Sequence, residues 1–134
     1  GVFHACKAVA PSMRERGYGK IINIASVAGI KAEPPETLDA VSYSTSKGAV
    51  IQLTRDLAMK WGRYGIRVNA LAPGFFPTRM TEKVLPKIID SFQSKNAMGR
   101  PGSLGELGGC ALFFASSASD YVNGDVMVVN GGPI

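Results

Sequence analysis

Ile66-Arg67-Val68-Asn69-Ala70-Leu71-Ala72-Pro73-Gly74 is the stretch on which the fold turns. Its first seven residues read as a short strand of β-branched and small apolar side chains, and Pro73-Gly74 closes it. Just upstream, Val50, Ile51, Leu53, Leu57, Ala58 and Trp61 set a helical pattern from Ser42 to about Arg63, with Gly65 as its stop. Further upstream, Lys20-Ile21-Ile22-Asn23-Ile24-Ala25-Ser26 is a second strand, followed by a loop over 27–41. Residues 1–16 place Val2, Phe3, Cys6, Val9, Ala10 and Met13 at steps of three and four. That is an amphipathic helix, which Pro11 should kink or bring near its end. Downstream, residues 75–103 are broken by Pro77, Pro86 and Pro101 and carry a helical stretch from about Thr81 to Ser94. So long an excursion reads as a lid or binding segment. Leu104 to Ser117 forms another helix, and Val126 to Val129 a buried strand before Asn130-Gly131-Gly132.

The order is helix, strand, helix, strand, helix, strand. No turn of hairpin length joins two strands, so they should be parallel with right-handed helical crossovers. The fold class is α/β: a doubly wound parallel sheet, Rossmann-like, with residues 1–134 as one part of it. Composition agrees with a globular chain, at 46% hydrophobic and 19% charged. No apolar run approaches the length of a membrane span, and no secretory signal opens the sequence, so the expected setting is cytoplasmic. The net charge of +5 comes from 15 Lys and Arg spread along the chain, without the cluster a nucleic-acid surface needs. Cys6 and Cys110 are a distant pair without metal-ligand spacing, so no metal is expected.

Ligands of open parallel sheets bind beyond the carboxyl ends of the strands. Ser26, Pro73-Gly74 and Asn130-Gly131-Gly132 fall there. Tyr43 and Lys47 are four apart on the long helix, about 400° of rotation, and so share one face. A neighbouring ammonium favours the phenolate form of a tyrosine, which makes the hydroxyl a usable acid or base. A serine hydroxyl opposite can hold the same substrate oxygen. Alone, a Tyr-x-x-x-Lys pair is usually a packed aromatic beside a solvated lysine.

Four strings occur together and in order: Ile22 to Gly29, Tyr43-Ser44-Thr45-Ser46-Lys47, Gly65 to Gly74, and Gly124 to Gly132. In combination they resemble the short-chain dehydrogenase/reductase family along essentially the whole chain. The resemblance implies that Ser26 orients substrate and Tyr43 is the general acid/base. It also implies that Lys47 binds the nicotinamide ribose and favours the ionised tyrosine. Pro73, Gly74, Phe76 and Thr78 would wrap the nicotinamide of NAD or NADP, and residues 75–103 would form the substrate segment. The implied activity is NAD(P)-dependent hydride exchange with a small carbonyl or alcohol, among which the family handles polyols, 3-oxoacyl thioesters and steroids. Homo-oligomers through the helices of residues 1–16 and 42–63 are implied as well. The alternative is a noncatalytic interaction or scaffold fragment that retains the motifs.

Several features depart from the family pattern. No Gly-rich phosphate turn, ribose-reading residue or Asn-Asn-Ala-Gly strand end occurs within residues 1–134. The expectation is therefore that the chain is the downstream part of something longer, and that alone it fails to bind a dinucleotide and associates through the edge at Ile21 to Ile24. Seventeen positions separate Ser26 from Tyr43, a longer loop than usual, with Glu33-Pro34-Pro35-Glu36 inside it to reshape the substrate mouth. Asn130 stands where an Asp is common. His4 reads as a helix contact, Phe75 and Phe76 as walls of an apolar pocket, and Thr78 as a helix N-cap as well as a cofactor contact.

Overall fold

The computed structural model describes residues 1–36, 38–82, 85–89, 92 and 96–132. The main elements are α1 (Val2–Glu15), β1 (Gly19–Ile24), α2 (Val41–Trp61), β2 (Ile66–Pro73), α3 (Leu85–Ile88), α4 (Leu104–Ala115) and β3 (Val126–Val129). The strands form a parallel sheet in the order β1-β2-β3, with Ile21 beside Val68 and Ala70 beside Val126. The expected order of helices and strands is the observed one. Pro11 lies inside α1, which continues to Glu15. Of the helical stretch expected over 81–94, the structure has the four residues of α3, and residues 83, 84, 90, 91, 93 and 94 lie outside the described ones.

Strand alternation sorts the two faces of the sheet. Ile21 and Val68 meet Cys6 of α1 and Leu57 and Ala58 of α2 in one buried cluster. Ala25, Ala70 and Ala72 meet Ile51 of α2 in a second cluster, nearer the carboxyl ends of the strands. Each large apolar side chain so buried contributes about 1.5–3 kcal/mol. The polar member of this face is Asn23, whose Nδ2 donates to Thr54 Oγ1 at 2.9 Å, while Cys6 Sγ lies 3.5 Å from its Oδ1. Burial pushes the Cys6 thiol up from its ordinary range.

Lys20 points to the opposite face, beneath the end of α4, where its Nζ stands 2.9 Å from Ser119 Oγ and 2.8 Å from the Asp120 carboxylate. That hydrogen bond holds the Asp120 carboxyl below its usual range. The fully buried Asn69 of β2 donates to the Val122 carbonyl and accepts the Asp125 N–H, which fixes the approach to β3. Helices thus lie on both faces of the sheet, while Ile24 of β1 stays 49% exposed. At its amino end Gly65 adopts φ +76, where a Cβ would collide with the Gly17 carbonyl. Among the described residues no helix is long and apolar enough to cross a membrane.

Candidate active site

The backbone of β1 runs out at Ile24, and the next residues turn sharply toward α2. Ala25 N–H still bonds to the Leu71 carbonyl at 2.7 Å, which ties the exit to β2. Ser26 is extended, at φ −167 and ψ 155, and caps the 3-10 turn Val27–Gly29. Its Oγ accepts the Ala28 N–H at 3.2 Å, and its carbonyl accepts the Gly29 N–H at 3.0 Å. The capping bond uses a lone pair of the hydroxyl and leaves its O–H as a donor. Ser26 is only 7% exposed, so the turn rather than solvent sets the direction of that hydroxyl.

Gly29 presses on α2 at Lys47. A Cβ on Gly29 would stand 2.6 Å from the Lys47 carbonyl carbon and 2.7 Å from the Gly48 nitrogen, closer than a methyl group tolerates. Lys47 reaches back from the helix, and its Nζ donates to the Ile24 carbonyl at 2.9 Å. The same ammonium lies 5.6 Å from the centroid of the Tyr43 ring. Two of its three N–H donors remain beyond the bond to Ile24. The start of α2 is thus fastened to the end of β1 by a close backbone contact and by a lysine.

Ser26 and Tyr43 line one cleft of about 270 Å³, floored by Gly74 and Phe75 from the end of β2. Leu38 from the loop after β1, and Met80 and Thr81 from the segment after β2, complete its mouth. Among the described residues neither the Ser26 nor the Tyr43 hydroxyl donates to a protein group, so each keeps a donor for an oxygen atom in the cleft. A larger cavity, about 540 Å³, lies at the other end of the sheet between Lys7, Arg14, Trp61 and Tyr64. It holds no pair of free hydroxyls and lies away from the strand ends where parallel sheets bind ligands.

The other residues singled out in the sequence are placed as follows. Pro73 ends β2, where its missing N–H costs no ladder bond, and Gly74 N–H bonds to the Val129 carbonyl at 2.9 Å. A Cβ on Gly74 would stand 2.8 Å from Asn130 Cβ, so the ends of β2 and β3 close on each other there. Phe76 is buried against Gly102 and lines a different cavity with Met98 and Cys110, whereas its neighbour Phe75 faces the Ser26–Tyr43 cleft. Thr78 N–H donates to Thr81 Oγ1 at 2.9 Å, and the Thr81 hydroxyl donates to the Phe76 carbonyl. Thr81 therefore reaches the cleft, while Thr78 faces Pro77 and Arg79 at the outer surface. Glu33, Leu38, Met80 and Thr81 are cleft residues that the spacing of motifs does not reveal. Their one signal was the unusual length of the two loops that carry them.

A sequence profile described as enoyl-(acyl carrier protein) reductase matches residues 1–133. The chain belongs to the short-chain dehydrogenase/reductase family. Galactitol 2-dehydrogenase (L-tagatose-forming) of Cereibacter sphaeroides is 44% identical over 134 residues, covering 98% of this chain and 52% of that relative. The crystal structure of a gluconate 5-dehydrogenase from Burkholderia cenocepacia in complex with NADP and tartrate aligns with a TM-score of 0.90. It is 44% identical, over 98% of this chain and 51% of that one. A 3-oxoacyl-[acyl-carrier protein] reductase from Brucella melitensis with bound NAD aligns with a TM-score of 0.88 at 36% identity, over 98% of this chain and 47% of that one. The chain spans about half the length of the curated relatives it matches. The parallel sheet with helices on both faces is accordingly part of the Rossmann-type fold of this family.

Proposed function

We propose that this chain carries the catalytic and substrate-binding part of an NAD(P)-dependent oxidoreductase that interconverts an alcohol and a carbonyl. The observation that carries the reading is the bond from Lys47 Nζ to the Ile24 carbonyl at 2.9 Å. It brings the start of α2 onto the end of β1, so that Ser26 and Tyr43 share one cleft.

The residues at the strand ends fit a nicotinamide nucleoside. Lys47 retains donors for ribose hydroxyls, and Pro73, Gly74 and Phe75 offer a flat, largely apolar wall. Thr78 and Phe76 belong to the same stretch but lie outside the cleft, the first at the outer surface and the second packed on Gly102. A bound nicotinamide supplies or accepts the hydride. The protein's own groups handle the oxygen and its proton. Ser26 donates to the substrate oxygen and holds it beside Tyr43, and Tyr43 gives that oxygen a proton in reduction or takes one in oxidation. Lys47 places a positive charge 5.6 Å from the centroid of the Tyr43 ring. The apolar walls exclude water from the reacting carbon.

Relatives named for NADP and NAD complexes support either nucleotide as partner. Self-association through α1 and α2 is supported by exposed Phe3 and Val9 on the first helix and by Met59, 85% exposed, on the second.

Turnover of alcohols and ketones, followed by the absorbance of NADH or NADPH, tests the reading in the protein that carries this sequence. Tyr43→Phe should lower turnover at least about 100-fold while nucleotide affinity, read by fluorescence titration, changes little. Near-normal turnover in that variant would overturn the assignment.

A further inference from the structure

We propose that Glu33 selects the substrate at this cleft, and that it selects a neutral open-chain polyol, or the matching ketose, over a sugar-acid anion. The inference rests on the oxidoreductase reading and deepens it. Among the described residues lining the cleft, Glu33 is the one with a charged side chain. The walls around it are mostly apolar, from Leu38, Ala40, Phe75 and Met80.

Glu33 is held rather than dangling. Its side chain is 20% exposed, and Lys31 Nζ stands 3.3 Å from its Oε1. Lys31 does not line the cleft that holds Ser26 and Tyr43; it lines the neighbouring cavity, which it shares with Glu33 and Asn130. Glu33 thus stands on the wall between the two cavities, and its cation borders only the second of them. Glu36 and Asp39 of the same loop are exposed and do not line the cleft.

A carboxylate accepts hydrogen bonds and donates none, and its two oxygens offer about four lone-pair sites. With one oxygen beside Lys31, the other is available to a substrate. A polyol whose reacting hydroxyl lies between Ser26 and Tyr43 has further hydroxyls along its carbon chain, and these are the donors such an oxygen needs. A sugar acid of the same length brings a second carboxylate into the same space, where like charges repel. An acyl chain brings no donor, so Glu33 keeps Lys31 as its partner and gains no bond from such a substrate. Glu33 takes no part in the chemical step: the hydride leaves the alcohol carbon for the oxidised nicotinamide, and the hydroxyl proton leaves for Tyr43.

The test compares kcat/KM for galactitol and gluconate in the wild type, Glu33→Gln and Lys31→Gln, in the protein that carries this sequence. Wild type should favour galactitol at least about tenfold, and Glu33→Gln should reduce that preference about 10- to 100-fold, mostly through KM. Lys31→Gln should move it the other way, toward galactitol, and a merely damaged fold does not produce opposite shifts in two neighbours. Equal or better use of gluconate by the wild type would overturn the proposal, as would a ratio unmoved by Glu33→Gln. Reduction of a 3-oxoacyl thioester without any turnover of polyol or ketose would overturn it while leaving the oxidoreductase reading in place. Absence of nicotinamide-linked turnover with every one of these substrates would overturn this proposal, and failure to bind NADH or NADPH as well would remove the oxidoreductase reading with it.

Discussion

One wall of the cleft is backbone set against backbone, with Ala25 bonded to Leu71, Gly29 pressed on the Lys47 carbonyl, and Lys47 fastened to Ile24. The opposite wall, among the described residues of 75–103, has backbone bonds too, from Gly102 N–H to the Phe75 carbonyl at 3.0 Å and from Met98 N–H to the Gly131 carbonyl at 2.9 Å, and adds a set of side-chain ties. Thr81 ties Thr78 and the Phe76 carbonyl, Phe75 meets Phe92 edge-on at 5.8 Å, and Arg100 grips Glu106 through two bonds of 3.0 and 2.7 Å. In the proposed function the difference divides the work. Acid/base groups need positions held to fractions of an ångström, which close packing of regular elements supplies. A substrate-selecting wall can change its side chains without moving those groups, which is why loops carry specificity.

Three substitutions or conditions probe that contrast. The largest effect is expected on the backbone wall. Gly29→Ala places a methyl group against immovable main-chain atoms and should cost about 1–3 kcal/mol of stability by urea unfolding. Turnover should fall with it, because relief of the clash drives α2, and Tyr43 with it, away from Ser26. Unchanged stability would show that the contact is loose.

Gly48→Ala, on the other side of the same contact, should act with the opposite sign. A Cβ there meets the Gly29 carbonyl oxygen at 3.5 Å, an ordinary contact, and alanine favours the helix. A gain of about 0.5–1 kcal/mol is expected, and a loss would mean that both sides of the contact are tight.

The smallest effect belongs to the side-chain wall in acid. The Arg100 guanidinium first, and then the Ser103 N–H, hold Glu106 down to about 2 from an ordinary 4.5. In the unfolded chain this carboxyl takes up its proton near pH 4.5, whereas the folded form resists until about 2. The support it gives α4 and the loop is therefore complete above pH 4.5 and fades as the pH falls through 2. Protection factors of the amides at residues 96–106, corrected for the intrinsic pH dependence of exchange, should fall across that window before those of residues 24–29. A carboxyl titration of Glu106 by NMR should move toward the ordinary value in Arg100→Gln, and an unmoved midpoint would show that another group holds it.

Much of this architecture was legible in the residues. The strand at Ile66 to Pro73, the helix through Tyr43 and Lys47 and the parallel order follow from apolar periodicity and from Pro and Gly punctuation, which act over a few residues. Phe75 and Phe76 show where such reasoning stops. Adjacent aromatics after a strand end look alike in sequence, yet Gly102 leaves room for Phe76 beneath the loop and so turns Phe75 toward the cleft. Thr78 and Thr81 divide in the same way, because the Thr81 hydroxyl closes a local ring of hydrogen bonds and reaches the cleft.

The chain's order of elements and its family were therefore written in local pattern and motif, and the proposal of Ser26, Tyr43 and Lys47 as site residues starts from the same motifs. Local pattern is sufficient for them because strand, helix and turn preferences are settled by neighbours in the chain. The bond from Lys47 to Ile24, the burial of Phe76 and the placing of Glu33 at the cleft with Lys31 beside it were settled elsewhere. Each depends on segments far apart in sequence packing against one another, and the direction a side chain takes at such a contact is fixed by the space its distant neighbours leave.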